Sequence, residues 1–172
     1  FLFYYRLLGI ALFEATGERD YLDKATATAR EAIELFGDGD GSLFITAKGA
    51  ADVPVARPRH ARDNATPSGA GLMAEAFARL YHLTGEGEWR ERCEKLIRAF
   101  SGAGAALALS PTLLAAADLL KRAAVAVVAG ENAQALARAA LAAPDPAICV
   151  LRTKDGGDWP ATSPAHGRVP IE

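Results

Sequence analysis

One helical hairpin is written twice in this sequence. Leu12-Phe13-Glu14-Ala15-Thr16-Gly17-Glu18-Arg19-Asp20-Tyr21-Leu22 is echoed by Leu80-Tyr81-His82-Leu83-Thr84-Gly85-Glu86-Gly87-Glu88-Trp89-Arg90. Each copy is an apolar-periodic stretch, a Thr-Gly stop, a short polar turn and an aromatic that opens the next helix. A repeated two-helix unit cannot bury its apolar face alone, so it implies stacked neighbours. The expected fold is therefore mainly α: helical hairpins of an incomplete α/α toroid.

The 172 residues suffice for one core, or for one domain with a small appendage. A formal charge of −2 argues against nucleic acid or an anionic membrane as the main partner. The longest charge-free stretch, residues 99–117, is dotted with glycine and broken by Ser110-Pro111. It does not read as the roughly 20 apolar residues that span a bilayer. Cys93 and Cys149 fall in different predicted elements and match no metal spacing, so they read as buried free thiols in a reducing, cytoplasm-like compartment. Phe1 opens inside an apolar helix-like run, which places residue 1 within a longer parent chain.

Periodicity predicts helices over residues 2–15, 20–36, 67–83, 88–100 and from 110 onward. Leu7, Leu8, Ala11, Leu12 and Ala15 form the expected inward face of the first, with Gly17 as its stop. Asp20 is the expected cap of the second helix, and Thr66, held extended by Pro67, that of the third. The fifth is expected to turn Leu113, Leu114, Ala117 and Leu120 inward, and His82 to sit as a cation at the end of the third. The acids of Asp38-Gly39-Asp40 lack the ligand loop of an EF-hand, and a glycine-rich reversal fits better. Beyond Arg122, strand-like 123–129, a helix over 132–142 and strand-like 148–151 make a βαβ unit with parallel strands. Residues 1–122 thus read as the toroid fragment, and 123–172 as a small βαβ segment with an irregular tail.

The polar stretch before the third helix carries the candidate site. Arg62, Asp63, Asn64, Thr66 and Ser68 bring charge and hydrogen-bonding groups to a helix N-terminus, and Gly69 and Gly71 leave room for close approach. His60 lies just upstream and has the chemistry of a general base, although a solvent-exposed loop histidine accounts for it better. These residues suit a sugar-like or anionic ligand. They suit a structural role equally: Thr66 capping, Arg62 paired with Asp63, and the glycines permitting tight helix contact. Gly130 alone makes no GxGxxG, and GxSxG, HExxH and GxxxxGK[ST] are missing, so no cofactor and no metal is implied.

The stretch Arg57-Pro58-Arg59-His60-Ala61-Arg62-Asp63-Asn64-Ala65-Thr66-Pro67-Ser68-Gly69, with Glu14-Ala15-Thr16-Gly17 before it, resembles the C-terminal part of a thioredoxin-fused family related to a spermatogenesis-associated protein. That resemblance implies a six-hairpin α/α toroid, similar to glycosidases and N-acylglucosamine 2-epimerases. Here Ala70-Gly71 follows Ser68-Gly69 where the family continues Asn-Ser, and His60 replaces a common acidic residue. Two functions follow from the resemblance: a fragment that binds or acts on a carbohydrate, or a non-catalytic helical scaffold attached to a thioredoxin-like domain. The partners it implies are a sugar-like small molecule and the rest of the parent chain. Five helices cannot close a six-hairpin ring, so the first helix is expected to expose an apolar patch or to bury it by self-association.

Overall fold

The computed structural model describes residues 2–50, 57–102, 104–130, 132–153 and 159–167. Among the described residues the chain is mainly helical, with six α-helices and a two-stranded parallel sheet near the C-terminus. In order these are α1 (Leu2–Thr16), α2 (Arg19–Phe36), α3 (Gly69–Thr84), α4 (Gly87–Ser101), a 3-10 turn (Gly104–Leu109), α5 (Pro111–Arg122), β1 (Ala124–Val128), α6 (Ala133–Leu141) and β2 (Ile148–Arg152).

The repeat in sequence is a repeat in hydrogen bonding. Thr16 Oγ1 donates to the Leu12 carbonyl at 2.7 Å, and Thr84 Oγ1 to that of Leu80 at 2.7 Å. Those hydroxyls in turn accept the N–H groups of Glu18 and Glu86, at 3.1 and 3.2 Å. Gly17 and Gly85 both sit at φ 73°, where a glycine meets no Cβ penalty and closes the preceding helix. The N–H groups of Tyr21 and Trp89 then reach back to Glu18 and Glu86, each at 3.1 Å. Thr-Gly-Glu is thus a reversal with its own repeated local hydrogen bonds, and it sets α1 against α2 and α3 against α4.

At the centre lies α3, whose Leu72, Met73, Ala76, Phe77 and Leu80 are buried at helical spacing. It packs against α1, α2, α4, α5 and β2. Small residues make that possible: Ala70, Ala74 and Ala78 are buried as well. At Gly71 a Cβ would fall 2.8 Å from Thr112 Cβ, so the close neighbour this glycine admits is α5.

Four local expectations are corrected. Leu8 is 52% exposed, and Ala11 and Ala15 face outward too; Ile10, Phe13 and Glu14 turn inward instead. Leu8 is therefore the exposed large apolar side chain described on α1, beside the small Ala11 and Ala15. In α5, Leu113, Ala116 and Leu119 are buried while Leu114 is exposed, a shift of the inner stripe around the helix. Asp20 lies within the first turn of α2, pairing with Lys24 at 2.6 Å, while Glu18 holds the cap position without a side-chain hydrogen bond to the first turn. His82 is not a helix-end cation. Burial lowers its pKa, outweighing its backbone contacts, and Nε2 donates to the Leu119 carbonyl at 3.1 Å.

In the closing βαβ unit the parallel pairing runs from Ala124 opposite Ile148 to Val128 opposite Arg152. One side of β2 sends Cys149 and Leu151 into the core shared with α1 and α3, while Val150 joins Val128, Ala133 and Ala137 beneath α6. A strand covered on both faces explains its unbroken apolar run.

Candidate functional site

Residues 57–68 have no regular secondary structure but are pinned at both ends. At the first end, Arg57 donates to the Leu35 carbonyl at 3.0 Å and lies 4.1 Å from the centre of the Phe44 ring. Arg59 forms an ion pair with Asp38, whose side chain is almost wholly buried. Burial alone would raise the Asp38 carboxyl, but hydrogen bonds from Asp40, Arg59 and Ser42 win and hold it at about 2. The reversal over 37–43 is closed by one antiparallel bridge, Gly37 to Leu43. It is the glycine-rich turn expected from Asp38-Gly39-Asp40.

At the other end Asp63 joins two helix N-termini. Its Oδ1 accepts the Ser68 N–H at 2.7 Å and its Oδ2 the Thr112 N–H at 2.7 Å. Its own N–H donates to the Leu109 carbonyl at 2.8 Å. Burial works to raise this carboxyl, yet the backbone N–H groups of Thr112 and Ser68 pull it below the ordinary aspartate value. Two helix starts, each rich in unpaired N–H groups, share one anion.

This bridge explains two departures from expectation. The cap of α3 is Ser68, not Thr66: the Ser68 hydroxyl accepts the Gly71 N–H at 3.1 Å from an extended backbone. By holding the Ser68 N–H, Asp63 closes 63–68 as a turn, and the helix starts at Gly69 beyond Pro67. Nor do Arg62 and Asp63 pair, since both carboxylate oxygens are engaged by backbone. Asp63 and Ser68 are thus brought together, while His60, Arg62, Asn64 and Thr66 have exposed side chains.

Two hollows lie elsewhere. One, of about 240 Å³, is bordered by Arg19, Asp23, Arg30, Glu86 and Trp159. Arg19 sits 4.9 Å from the centre of the Trp159 ring, so that aromatic face is already covered. The other, of about 190 Å³, lies beneath the 37–43 reversal. None of the six sequence-predicted residues lines either hollow. Among the described residues no group of three or more His, Cys, Asp or Glu is placed to hold a metal.

A polar cluster that sequence reasoning missed lies under β2. Glu14, 4% exposed, accepts the Val150 N–H at 2.9 Å and faces Arg79 Nη1 at 3.4 Å. Arg79 also reaches Glu75 at 3.1 Å and the Ile148 carbonyl at 3.2 Å. Burial raises the Glu14 carboxyl despite the opposing pull of Arg79 and Val150. One signal was readable: Glu14 falls on the Ile10-Phe13 side of an almost entirely apolar helix. Cys93 and Cys149 are free and buried, and burial pushes both thiols up to about 12. Neither is a nucleophile at neutral pH.

The chain is 34% identical over 92 residues to spermatogenesis-associated protein 20 of Mus musculus and 32% identical over 92 residues to the Rattus norvegicus protein. It is a distant, partial relative of these proteins. Each match covers 52% of this chain and 12% of the relative, so the chain spans a small part of the spermatogenesis-associated protein 20 length. No protein-family model matches it. Among the described residues no helix is long and apolar enough to cross a membrane.

Proposed function

We propose that this chain is a non-catalytic scaffold segment of a longer protein related to spermatogenesis-associated protein 20. In this reading its twin hairpins form part of an α/α toroid wall, which packs against the rest of the parent chain, including a thioredoxin-like domain. The observation that carries it is the double use of Asp63. The most acidic-looking member of the predicted site has both oxygens occupied in tying α3 to α5. A carboxylate so engaged is a poor general base and a good structural brace.

The test uses the exposed neighbours, which can be removed without disturbing that brace. Arg62→Ala and Asn64→Ala are expected to leave the fold and the activity of the parent protein unchanged. A large loss of parent activity with an unchanged melting curve would eliminate the scaffold reading.

A second reading, a carbohydrate-binding loop, is supported by the exposure of His60, Arg62, Asn64 and Thr66 on one short segment. It predicts saturable shifts of these residues in NMR titrations with monosaccharides and N-acylhexosamines. Flat titrations would dismiss it.

A further inference from the structure

We propose that the outer edge of β1 pairs antiparallel with the same edge of a second copy of this chain, a reading independent of the scaffold role. The sheet has two strands, and their outer edges differ. In a parallel ladder only alternate residues of a strand bond to a given neighbour. The Ala124 N–H donates to the Ala147 carbonyl, and the Thr153 N–H to that of Val128, each at 2.9 Å. Ala124, Ala126 and Val128 therefore face β2, and the peptide groups of Val125 and Val127 face away from it.

By the same alternation β2 turns the peptide groups of Ile148 and Val150 to its own outer edge, where side chains meet them. Arg79 donates to the Ile148 carbonyl at 3.2 Å, and Glu14 accepts the Val150 N–H at 2.9 Å. The edge of β1 has no such cover. Among the described residues the N–H and C=O groups of Val125 and Val127 have no hydrogen-bond partner. β1 has β2 along one edge and α6 across one face. Nor does it carry the usual guards of an open edge, since Ala-Val-Ala-Val-Val holds no charge, proline or bulge.

What fits this edge is the edge itself. In an antiparallel pair, residues directly opposite each other either exchange both N–H···O bonds or exchange none. Placing Val125 opposite Val127 of the second copy sets outward peptide groups face to face, and a two-fold axis repeats that pair on its other side. Ala126 then meets its own copy at the axis as a pair without hydrogen bonds, and its small side chain lets the strands close. With no charged residue in the strand, like charges never oppose each other, and β-branched valines favour cross-strand contact. A strand of five residues makes an interface well below the roughly 1,200 Å² of standard complexes. The dimer is therefore weak and concentration-dependent.

Sedimentation velocity on the 172-residue chain over a concentration series reads the dimer directly. A dissociation constant on the order of 100 µM is expected. Val127→Pro removes an outward N–H and spares the ladder to β2, the placement at which an edge strand tolerates proline. It should weaken the dimer about tenfold or more with little change in the melting curve. Ala126→Cys reports the register: across the axis the two Cα atoms would lie roughly 4.5 Å apart, within reach of a disulfide. Oxidised glutathione is expected to link Ala126→Cys to its own copy and to leave Val125→Cys unlinked. A chain that stays monomeric up to about 1 mM would overturn the proposal and leave the edge to another segment of the parent chain. So would a dimer unmoved by Val127→Pro, or one that Ala126→Cys fails to link, since either puts the contact elsewhere. If Val127→Pro does not fold, the cross-link decides alone.

Discussion

Glu14 accepts the backbone N–H of Val150 at 2.9 Å, joining residues that stand 136 positions apart in sequence. Through this contact, and through Arg79 beside it, the first helix, the central helix and the last strand share one buried polar cluster. Removing one partner of a buried, hydrogen-bonded charge pair leaves the other uncompensated. Glu14→Ala is therefore expected to cost about 3 kcal/mol, read as a lower urea midpoint at constant slope. Glu14→Gln retains an acceptor for Val150 and is expected to cost less than half as much. Equal losses in the two variants would show that charge, rather than the backbone bond, carries the contact.

Acid should act on the carboxylates in opposite directions. Asp38 and Asp63 are depressed in the folded state, so the stability they contribute is fully present above their ordinary value of 3.8. For Asp38 it is lost as the pH falls through about 2. Glu14 is raised, so its ionisation favours unfolding as the pH climbs above 4.5, and acidification relieves that cost. Asp38→Asn and Asp63→Asn should each flatten the acid limb of a stability–pH curve, whereas Glu14→Gln should steepen it. An acid limb unmoved by either aspartate variant would refute the assignment.

Replacing Asp63 by alanine removes the shared anion from two helix starts. The loss expected is about 2 kcal/mol, the scale of a strong N-cap. Hydrogen exchange should then quicken in the first turns of both α3 and α5. Acceleration confined to α3 would mean that the contact to Thr112 contributes little.

The twin glycines should respond unequally to alanine. Both lie at φ 73°, a conformation that costs an L-residue about 1 kcal/mol. At Gly17 the new methyl meets the flexible Arg152 side chain at 3.0 Å, but at Gly85 it would lie 1.5 Å from the Thr162 carbonyl oxygen. Gly85→Ala should thus lower the melting temperature at least twice as far as Gly17→Ala. Equal shifts would mean that the segment around Thr162 yields freely.

Much of the helical architecture is legible in the sequence because α2 and α4 separate apolar from charged residues cleanly. Trp89, Cys93 and Leu96 emerge buried on the side their spacing indicates. The first helix hides its inward face because nearly every residue in Leu2–Thr16 is apolar. With little polar contrast, packing against α3 and β2 decides which side turns in, and it selects Ile10, Phe13 and Glu14. The choice between Thr66 and Ser68 as cap was likewise not local. Both are good caps, and the decision falls to Asp63 and its second partner, Thr112, 49 residues away. The polar stretch from Arg62 to Ser68 stands out in composition from the helices around it. Its bonding was invisible, since one carboxylate serves both a near and a distant amide.

Each of the matched reversals is finished by a residue from late in the chain. Arg152 donates to the Thr16 carbonyl at 3.3 Å, and the Thr162 hydroxyl to that of Thr84 at 3.0 Å. Ribosomes deliver sequence from the amino end, so both hairpins emerge before either of these latches exists. Until they arrive, the carbonyls at Thr16 and Thr84 must rely on water, and Glu14 waits without Val150. Contacts this distant in sequence form slowly, so a nascent chain stalled before Arg152 should be cut by protease at sites that the finished protein shields.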